Sequence, residues 1–407
     1  MGVQQIRRKQ IIDKYLGYFL IGLLLPFTRW LGITLRRDHS LGKPPKRILF
    51  IKLMGLGSLV AASDAIAGMK AHLPDTRLIL LTDDNIAEGI GPFRLFDEIY
   101  TVPTSNLRIT FARLTGFFLR CWKWRRLWVI DLEVYSKLTT VLALLTGARN
   151  RLGFYLSLVP FRKYLNTHNI PFDVSACLAD NYYYMACQAT GAESLVLPLP
   201  EPRTDEYHRP YILINNTCSG LAYVRKLPDS TFLEVCRWVL ENTYYGLAIL
   251  GGPEDREDIS RLMGSNVVLA NNRRRVVNVA AMGLSFEEYY RLLREMGVCL
   301  ITIDSGPLHI GKKLGLPTVS IWGPTDPRNY LKTGPEDEGR HLSLYLGKSC
   351  SPCVHRKEEL PCGGNNTCMK DIDAAAIINK LEELLAGVKY RSLLHDPYLT
   401  NRQYIHY

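Results

Sequence analysis

The chain has 407 residues, of which 47% are hydrophobic and 22% are charged, and its formal net charge is +11. This composition excludes a wholly disordered chain, and the length exceeds one compact core, so we expect two domains of ordinary size. The excess charge is basic, but no nucleic-acid-binding motif accompanies it, so we do not expect nucleic acid as a partner.

Much of the positive charge lies in the first 49 residues, which hold ten Lys or Arg against Asp13 and Asp38. Among them runs the apolar segment YLGYFLIGLLLPF (15–27), interrupted by Pro26 and Arg29 and shorter than the about 20 residues of a spanning helix. No small-residue cleavage site follows, which argues against a signal peptide. We predict that residues 1–45 form a peripheral or monotopic segment on an anionic membrane surface. The alternatives are a helix packed on the protein's own surface and, less favoured, a single-pass anchor.

Four apolar runs follow a short linker at 43–47, each separated from the next by helical or loop sequence. They are RILFIKL (47–53), RLILLT (77–82), EIYTV (98–102) and LWVID (127–131). Such runs are typical of parallel strands that are buried on both faces of a sheet. The first run leads into Gly55-Leu56-Gly57-Ser58, but Val60 stands where a dinucleotide fingerprint needs its third glycine. A nicotinamide enzyme is therefore not expected.

A proline-rich segment at 195–209 predicts an interdomain hinge, and four further apolar runs follow it. They are YILINN (211–216), LAILGG (247–252), VCLITID (298–304) and TVSIWGP (318–324). We therefore predict domains at 46–200 and 208–370, and a C-terminal helix and tail at 371–407. Ligands of such sheets bind at the carboxyl ends of the strands, so the informative residues are those that follow each run.

The segment 300–327 is the most informative part of the chain. An apolar run ends at Asp304-Ser305-Gly306, and Pro307 then opens a helix. The backbone N–H groups at that helix N-terminus could bind phosphate, and Pro suits the first helical position because it lacks an N–H. An ordinary crossover turn with Ser305 as the N-cap is the alternative.

The sequence of this segment, DSGPLHIGKKLGLPTVSIWGPTDP (304–327), closely resembles the signature of glycosyltransferase family 9, the ADP-heptose:lipopolysaccharide heptosyltransferase family. Other parts resemble the family in the right order, at 47–73, 127–154, 212–228 and 250–256. The resemblance covers roughly residues 46–375. It implies an α/β fold of the GT-B type, in which two doubly wound Rossmann-like domains face a central cleft.

The resemblance also implies a function. It is the inverting, metal-independent transfer of a heptose or related sugar from a nucleotide diphosphate, with an ADP-linked donor as one option. The acceptor would be a lipid-linked or lipopolysaccharide-type glycan at the cytoplasmic face of a bacterial inner membrane. No DxD-type motif follows a predicted strand, so we expect no catalytic metal and no cofactor beyond the nucleotide-sugar substrate.

Several residues of the second domain match the donor side of the family. Arg225 and Lys226 match a basic-basic-Trp-Pro segment, with Leu227 in place of Trp, and would neutralise the leaving pyrophosphate. Glu254 could bind ribose hydroxyls or merely stabilise a helix N-terminus, and His309 could bind phosphate or sugar or lie on a helix surface. The diphosphate is expected to bind at Asp304, Ser305, Gly306, Pro307 and Leu308, all of which except Pro307 carry a backbone N–H.

The acceptor side lacks the expected base. In heptosyltransferases an Asp in the turn after the first strand deprotonates the acceptor hydroxyl, and here Ser58 replaces it. Serine has no useful basicity at neutral pH, so another carboxylate would have to act. In order of preference we expect Glu133, Asp131 and Asp64. Ser58 also motivates a second hypothesis, a catalytically silent member that binds nucleotide sugar or glycan as an assembly partner.

Lys52 and the turn glycines complete the acceptor-side expectations. Lys52, Gly55 and Gly57 could contact the acceptor or the diphosphate. Otherwise, the glycines simply allow a tight strand-to-helix turn.

Four of the ten cysteines are clustered in the pattern C-x2-C-x8-C-x5-C, at Cys350, Cys353, Cys362 and Cys368. A four-thiolate zinc site, two disulfides and plain buried thiols all remain open, and the resemblance to the family supports the thiols. We expect the other six to be buried thiols of a reducing compartment.

Overall fold

The computed structural model describes residues 3–35, 37–103, 107–157, 160–198, 210–218, 220–332, 337–354 and 360–387. The chain divides into two compact units. The first unit comprises Met1–Glu201, Ser219–Leu221 and Pro327–Lys332, and the second comprises Pro202–Cys218, Ala222–Asp326 and Thr333–Tyr407. The predicted tail after the last helix lies outside the described residues.

The first unit is built on a parallel six-stranded sheet of order β3-β2-β1-β4-β5-β6. Its strands are β1 (Arg47–Lys52), β2 (Arg77–Thr82), β3 (Glu98–Thr101), β4 (Leu127–Asp131), β5 (Asn150–Tyr155) and β6 (His168–Pro171). Its helices are α1 (Val3–Leu35), α2 (Leu56–His72), α3 (Asp84–Ile90), α4 (Leu107–Lys123), α5 (Lys137–Leu145) and α6 (Leu178–Thr190).

The second unit is also built on a parallel six-stranded sheet, of order β12-β11-β10-β7-β8-β9. Its strands are β7 (Tyr211–Asn215), β8 (Gly246–Ile249), β9 (Val276–Asn278), β10 (Gly297–Ile303), β11 (Thr318–Trp322) and β12 (His341–Tyr345). The helices after α6 are α7 (Asp229–Asn242), α8 (Arg256–Ser265), α9 (Val267–Asn271), α10 (Phe286–Arg291), α11 (Gly306–Lys313), α12 (Pro327–Tyr330), α13 (Thr367–Lys370) and α14 (Ala374–Gly387). Of these, α12 belongs to the first unit.

Each of the eight apolar runs forms a strand, and the prediction of two doubly wound α/β domains is confirmed. The central strands are buried along nearly their whole length because helices cover both faces of each sheet. Helix α4 leads from β3 to β4 and α5 from β4 to β5, so both connections step the same way across the sheet. Right-handed crossovers therefore place α4 and α5 on one face, opposite to α2 and α3.

Helix α1 is longer than the apolar run suggested and continues through Pro26 and Arg29. Its inner face packs on α5 and on the turn at Pro160–Tyr164, where Ile21 is buried against Val141 and Leu165. Among the described residues, no helix combines the length and apolar character needed to cross a bilayer.

A carboxylate also fastens α1 to the first unit. Asp13 accepts hydrogen bonds from the Ser136 hydroxyl (2.5 Å) and from the backbone N–H groups of Lys137 (3.1 Å) and Leu138 (2.9 Å). These N–H groups belong to the first turn of α5, where a negative charge also interacts favourably with the helix dipole. Asp13 thus caps a helix that lies more than 120 residues away in sequence.

Candidate functional site

In the second unit a charged cluster forms around Asp304, directly after β10. Its Oδ2 lies 3.2 Å from an Arg225 guanidinium nitrogen and accepts a 2.7 Å hydrogen bond from the Thr325 hydroxyl. Arg225 donates a second bond to the Asp304 carbonyl (3.3 Å). The Asp304 carboxylate therefore holds one cation and one hydroxyl beside the start of α11.

The N-terminus of α11 lies next to this cluster. Ser305 is its N-cap residue, but the Ser305 side chain makes no capping hydrogen bond. Instead its oxygen accepts a bond from the Asn215 amide (2.9 Å) at the end of β7. Of the predicted backbone donors, however, the Leu308 N–H donates to the Ser305 carbonyl (3.1 Å) and the Asp304 N–H to the Ile321 carbonyl (3.2 Å). Pro307 has no N–H, so the N–H groups of Ser305 and Gly306 are the ones that suit a bound anion.

Two asparagine side chains hold the backbone around Arg225 and Lys226. Asn216 clamps Leu227 by accepting from its N–H (2.9 Å) and donating to its carbonyl (3.1 Å). Asn366 donates to the Lys226 carbonyl (3.0 Å). The predicted neighbours Arg225 and Lys226 therefore lie on a fixed backbone, although only Arg225 is described in contact with Asp304.

Glu254 lies in the short turn after β8, exposed at the carboxyl end of the sheet. Its carboxylate folds back over Gly252, where an added Cβ would lie 2.7 Å from Oε2. The neighbouring Asp255 accepts from the Gly252 N–H (3.0 Å), and burial raises the pKa of Asp255, with Glu254 acting in the same direction. The positive charge of Lys226 opposes that rise.

His309 is nearly buried on α11, with Nε2 3.9 Å from Asp304 Oδ1. Burial lowers the pKa of His309 below its ordinary value, while Asp304 opposes that change. The imidazole is therefore neutral near pH 7, when it can still accept or donate a hydrogen bond.

In the first unit Glu133 is buried at the end of β4, where it binds the turn that follows β1. Its Oε2 lies 2.9 Å from Lys52 Nζ, and its Oε1 accepts from the N–H groups of Leu53 (3.0 Å) and Met54 (2.8 Å). Burial acts to lower the pKa of Lys52, but Glu133 raises it above the ordinary value. Glu133 thus organises the glycine turn, and Oε2 keeps a lone pair that Lys52 does not use.

Asp131 lies deeper and is fully buried. Its Oδ2 pairs with Arg162 (3.1 Å) and accepts from the Thr139 hydroxyl (3.0 Å), and its Oδ1 accepts from the Glu133 N–H (3.0 Å). Burial raises the pKa of Asp131 to about 6, and Arg162 opposes the rise. This geometry fits a residue that positions Glu133, and it leaves no surface for an acceptor to touch.

The glycine turn, Gly55-Leu56-Gly57-Ser58, is stabilised by a hydrogen bond from Ser58. Gly55 has φ +80°, which favours glycine, and an added Cβ there would lie 2.9 Å from the Ser58 oxygen. The Ser58 hydroxyl donates to the Gly55 carbonyl (2.7 Å). Gly57 is part of the first turn of α2. Ser58 also interacts with the buried Tyr182, whose pKa is raised by burial.

Sequence reasoning missed four residues that build the donor-side cluster, namely Asn215, Asn216, Thr325 and Asn366. Asn215 and Asn216 end the run YILINN, and this pair of polar residues at a strand end could have indicated them as site residues. Thr325 lies in the loop after β11, and this loop was predicted only as part of the segment 304–327, without a role for Thr325 itself. Asn366 could not be found from sequence, because its contact spans 140 positions.

All ten cysteines are free thiols in the structure, which agrees with the alternative of plain thiols. Cys353 and Cys368 are buried, and an added Cβ on Gly323 would lie 3.0 Å from Cys368 Sγ. Within the described ranges, no group of three or more His, Cys, Asp or Glu side chains is arranged to hold a metal ion.

Comparison with known proteins is consistent with this arrangement. Residues 175–363 match the model of glycosyltransferase family 9 (heptosyltransferase). Lipooligosaccharide heptosyltransferase 2 of Campylobacter jejuni serotype O:6 is 32% identical over 84 residues, which are 21% of this chain and 25% of that protein. The matched segment thus spans a quarter of the curated relative.

Solved structures agree in fold over a larger part of the chain. A family 9 glycosyl transferase from Veillonella parvula DSM 2008 superposes with a TM-score of 0.61 at 21% identity, covering 84% of this chain and 98% of that one. E. coli ADP-heptose lps heptosyltransferase II gives 0.62 at 15% identity, with coverage of 84% and 98%. The fold is therefore of the GT-B type, and the resemblance of this chain to glycosyltransferase family 9 is confirmed.

Proposed function

We propose that the protein is an inverting, metal-independent glycosyltransferase that moves a heptose or related sugar from a nucleotide diphosphate to a lipid-linked or lipopolysaccharide-type glycan. The observation that carries this proposal is the cluster of Arg225, Asp304 and Thr325 beside the N-terminus of α11. It lies within the segment that matches the family. A fixed cation and a helix N-terminus together suit a diphosphate.

The donor half would act by electrostatic stabilisation. As the bond between the anomeric carbon and the diphosphate oxygen breaks, negative charge develops on the diphosphate. Arg225 and the N–H groups at the start of α11 would stabilise that charge, and they require no reorganisation because Asp304 and Asn215 already hold them. A guanidinium thus supplies the positive charge that a metal ion would otherwise bring.

The acceptor half would act by general base catalysis. We assign the base to Glu133, whose Oε2 would take the proton of the acceptor hydroxyl as its oxygen attacks the anomeric carbon. Attack opposite to the leaving diphosphate inverts the configuration at that carbon. Lys52 would hold the carboxylate in place, and Asp131 would hold the backbone of Glu133.

The proposal is tested by incubating the purified protein with ADP-linked and other nucleotide sugars, with and without a lipid-linked glycan. We expect release of nucleoside diphosphate that depends on the acceptor and persists in the presence of a metal chelator. No release and no nucleotide binding across the panel would contradict the proposal.

The role of Glu133 needs a variant that keeps the fold. Glu133→Gln leaves Lys52 buried without its partner, which is destabilising, so the double variant Lys52→Met, Glu133→Gln is the better test. We expect the double variant to fold and to lose at least about 100-fold in turnover, because removing a general base costs that much. Substantial turnover by the double variant would assign Glu133 a structural role.

A catalytically silent member that binds nucleotide sugar or glycan is the second candidate. Two observations favour it, namely Ser58 in place of an acidic residue and the three hydrogen bonds that already occupy the Glu133 oxygens. Ser58→Asp distinguishes the two. A silent protein that lacks only its base should gain turnover, whereas an enzyme that uses Glu133 should gain none.

We also propose that α1 lies on an anionic membrane surface. Its outward face carries Tyr15, Phe19, Leu23, Phe27 and Trp30, each more than half exposed. Aromatic residues with basic neighbours are typical of interfacial helices. Sedimentation with anionic vesicles tests this part, and failure of the wild-type chain to sediment with them would contradict it.

A further inference from the structure

Helix α4 carries a second exposed apolar stripe, which the packing of the first unit does not explain. Phe111 is 75% exposed, Leu119 50% and Trp122 63%. These residues are 8 and 11 positions apart from Phe111, which places them on one side of a helix. Phe117 and Cys121, which face the sheet, are buried in the core of the unit. The core of the unit therefore does not use the exposed parts of Phe111, Leu119 and Trp122.

The stripe lies on the flank of α4 that faces α5. The Trp122 indole N–H donates to the Leu145 carbonyl at the end of α5 (3.0 Å), and an added Cβ on Gly147 would lie 3.3 Å from the Trp122 ring. Helices α4 and α5 share one face of the sheet, and α1 packs on α5 from outside. The apolar stripe of α4 and the outward face of α1 are therefore on the same side of the first unit.

The charge around the stripe favours lipid over protein. Residues 99–130 contain six Lys or Arg and no Asp or Glu. Lys123, Arg125 and Arg126 are exposed at the end of α4. Arg113 lies 3.9 Å from Asp84, so the excess of basic charge is carried by the other cations. A surface that combines exposed aromatic residues with an excess of basic charge complements anionic headgroups, where each nearby cation adds to the attraction.

We propose that α4 is a second membrane-docking helix, which inserts Phe111, Leu119 and Trp122 into an anionic lipid surface beside α1. This inference rests on the proposed membrane association of α1 and deepens it. A unit that docks through one helix can still rotate about the axis of that helix. Docking through two helices on one face prevents this rotation. Docking through both would set the orientation of the first unit against the bilayer.

The test is co-sedimentation of the full chain with mixed phosphatidylcholine and phosphatidylglycerol vesicles. Phe111→Ser with Leu119→Ser removes two exposed apolar side chains, and we expect vesicle affinity to fall at least about ten-fold. Phe111→Leu with Leu119→Met should retain binding. The matched control is Tyr244→Ser with Val267→Ser, two exposed residues of the second unit (84% and 71%), which should leave binding unchanged.

The possible results separate the two ideas. If the wild-type chain binds vesicles and the α4 serine variant binds equally well, α1 docks alone and the inference about α4 is overturned. If the serine variant instead loses a dimer seen for the wild type, while vesicle binding is unchanged, the stripe binds a second copy of the chain and the inference is again overturned. Nucleoside diphosphate release with a lipid-free acceptor should be unaffected, so failure of the glycosyltransferase proposal would show separately.

Discussion

Arg225 owes its position to the residues around it rather than to its own flexibility. Asp304 pairs with its guanidinium, and Asn216 holds the backbone two residues further on. Sequence reasoning could place Asp304 at a strand end, because the carboxyl ends of parallel strands converge, and it identified Arg225 through the resemblance to the family. It could not predict Asn216 as a clamp, since an asparagine after an apolar run is also typical of an ordinary turn.

Replacing Arg225 tests the donor site directly. We expect Arg225→Ala to weaken ADP binding by roughly 10- to 100-fold, the range of hydrogen bonds to a charged group, as measured by calorimetric titration. Arg237 lies exposed on α7 in the same unit and offers a matched control, because Arg237→Ala should leave ADP affinity unchanged. Equal affinities of the two variants would remove Arg225 from the site.

His341 makes the stability of the second unit depend on pH. Burial lowers the pKa of His341 to about 4, and its ring lies between Thr318 (3.0 Å) and Asp337 (3.3 Å). The unfolded chain takes up this proton near pH 6.5, well before the folded chain, so stability falls as the pH drops from about 6.5 to about 4. We expect His341→Gln to remove about 2 kcal/mol of the loss between pH 7 and pH 5.

Chemical denaturation at the two pH values measures this effect. The exposed His72 provides the control, since His72→Gln should leave the pH dependence as it is in the wild type. An unchanged pH dependence in His341→Gln would show that other groups are responsible.

At the scale of the elements, the central strands could be predicted because burial on both faces produces continuous apolar runs. Strands β5, β6, β9 and β12 were not recognised. They lie towards or at the sheet edges and include polar residues such as Asn150, His168 and His341. The full length of α1 was not predicted either, because its apolar run ends at basic residues. Those residues are good helix formers, so the helix continues through them.

The attachment of α1 to α5 can be measured by hydrogen exchange. Asp13→Ala removes a side chain that accepts from two N–H groups of the first turn of α5. Loss of such a cap costs about 1 kcal/mol or slightly more, so we expect exchange at Lys137 and Leu138 to accelerate roughly ten-fold. Lys14→Ala, next in sequence and exposed, should change nothing. Unaltered exchange in Asp13→Ala would mean that apolar packing alone holds α1.

At the scale of the whole molecule, each unit has its own sheet, its own core and its own group of candidate site residues. The family match begins at residue 175 and so covers the second unit far better than the first. In agreement with this difference, the resemblance names more residues on the donor side than on the acceptor side, and the roles of those residues stay predictions. In the first unit Ser58 departs from the expected residue, so the base had to be argued from contacts.

This division predicts that the two sites can be impaired separately. The Lys52→Met, Glu133→Gln variant should keep the ADP affinity of the wild type within about two-fold, because the described contacts of Lys52 and Glu133 are not shared with Arg225 and Asp304. Calorimetric titration of ADP measures this. A ten-fold change would mean that donor binding depends on the glycine turn of the first unit.

The contact of Asp13 with Ser136 has a further consequence for an acceptor that stays in the bilayer. Ser136 is three residues after Glu133, so the helix proposed to lie on the lipid is fastened almost at the proposed base. A glycan whose lipid remains in the membrane would meet Glu133 as a tethered reactant. Its effective concentration would be set by the length of the tether rather than by the amount in solution. Such an enzyme could tolerate weak intrinsic affinity for the sugar, since the membrane itself would retain the substrate.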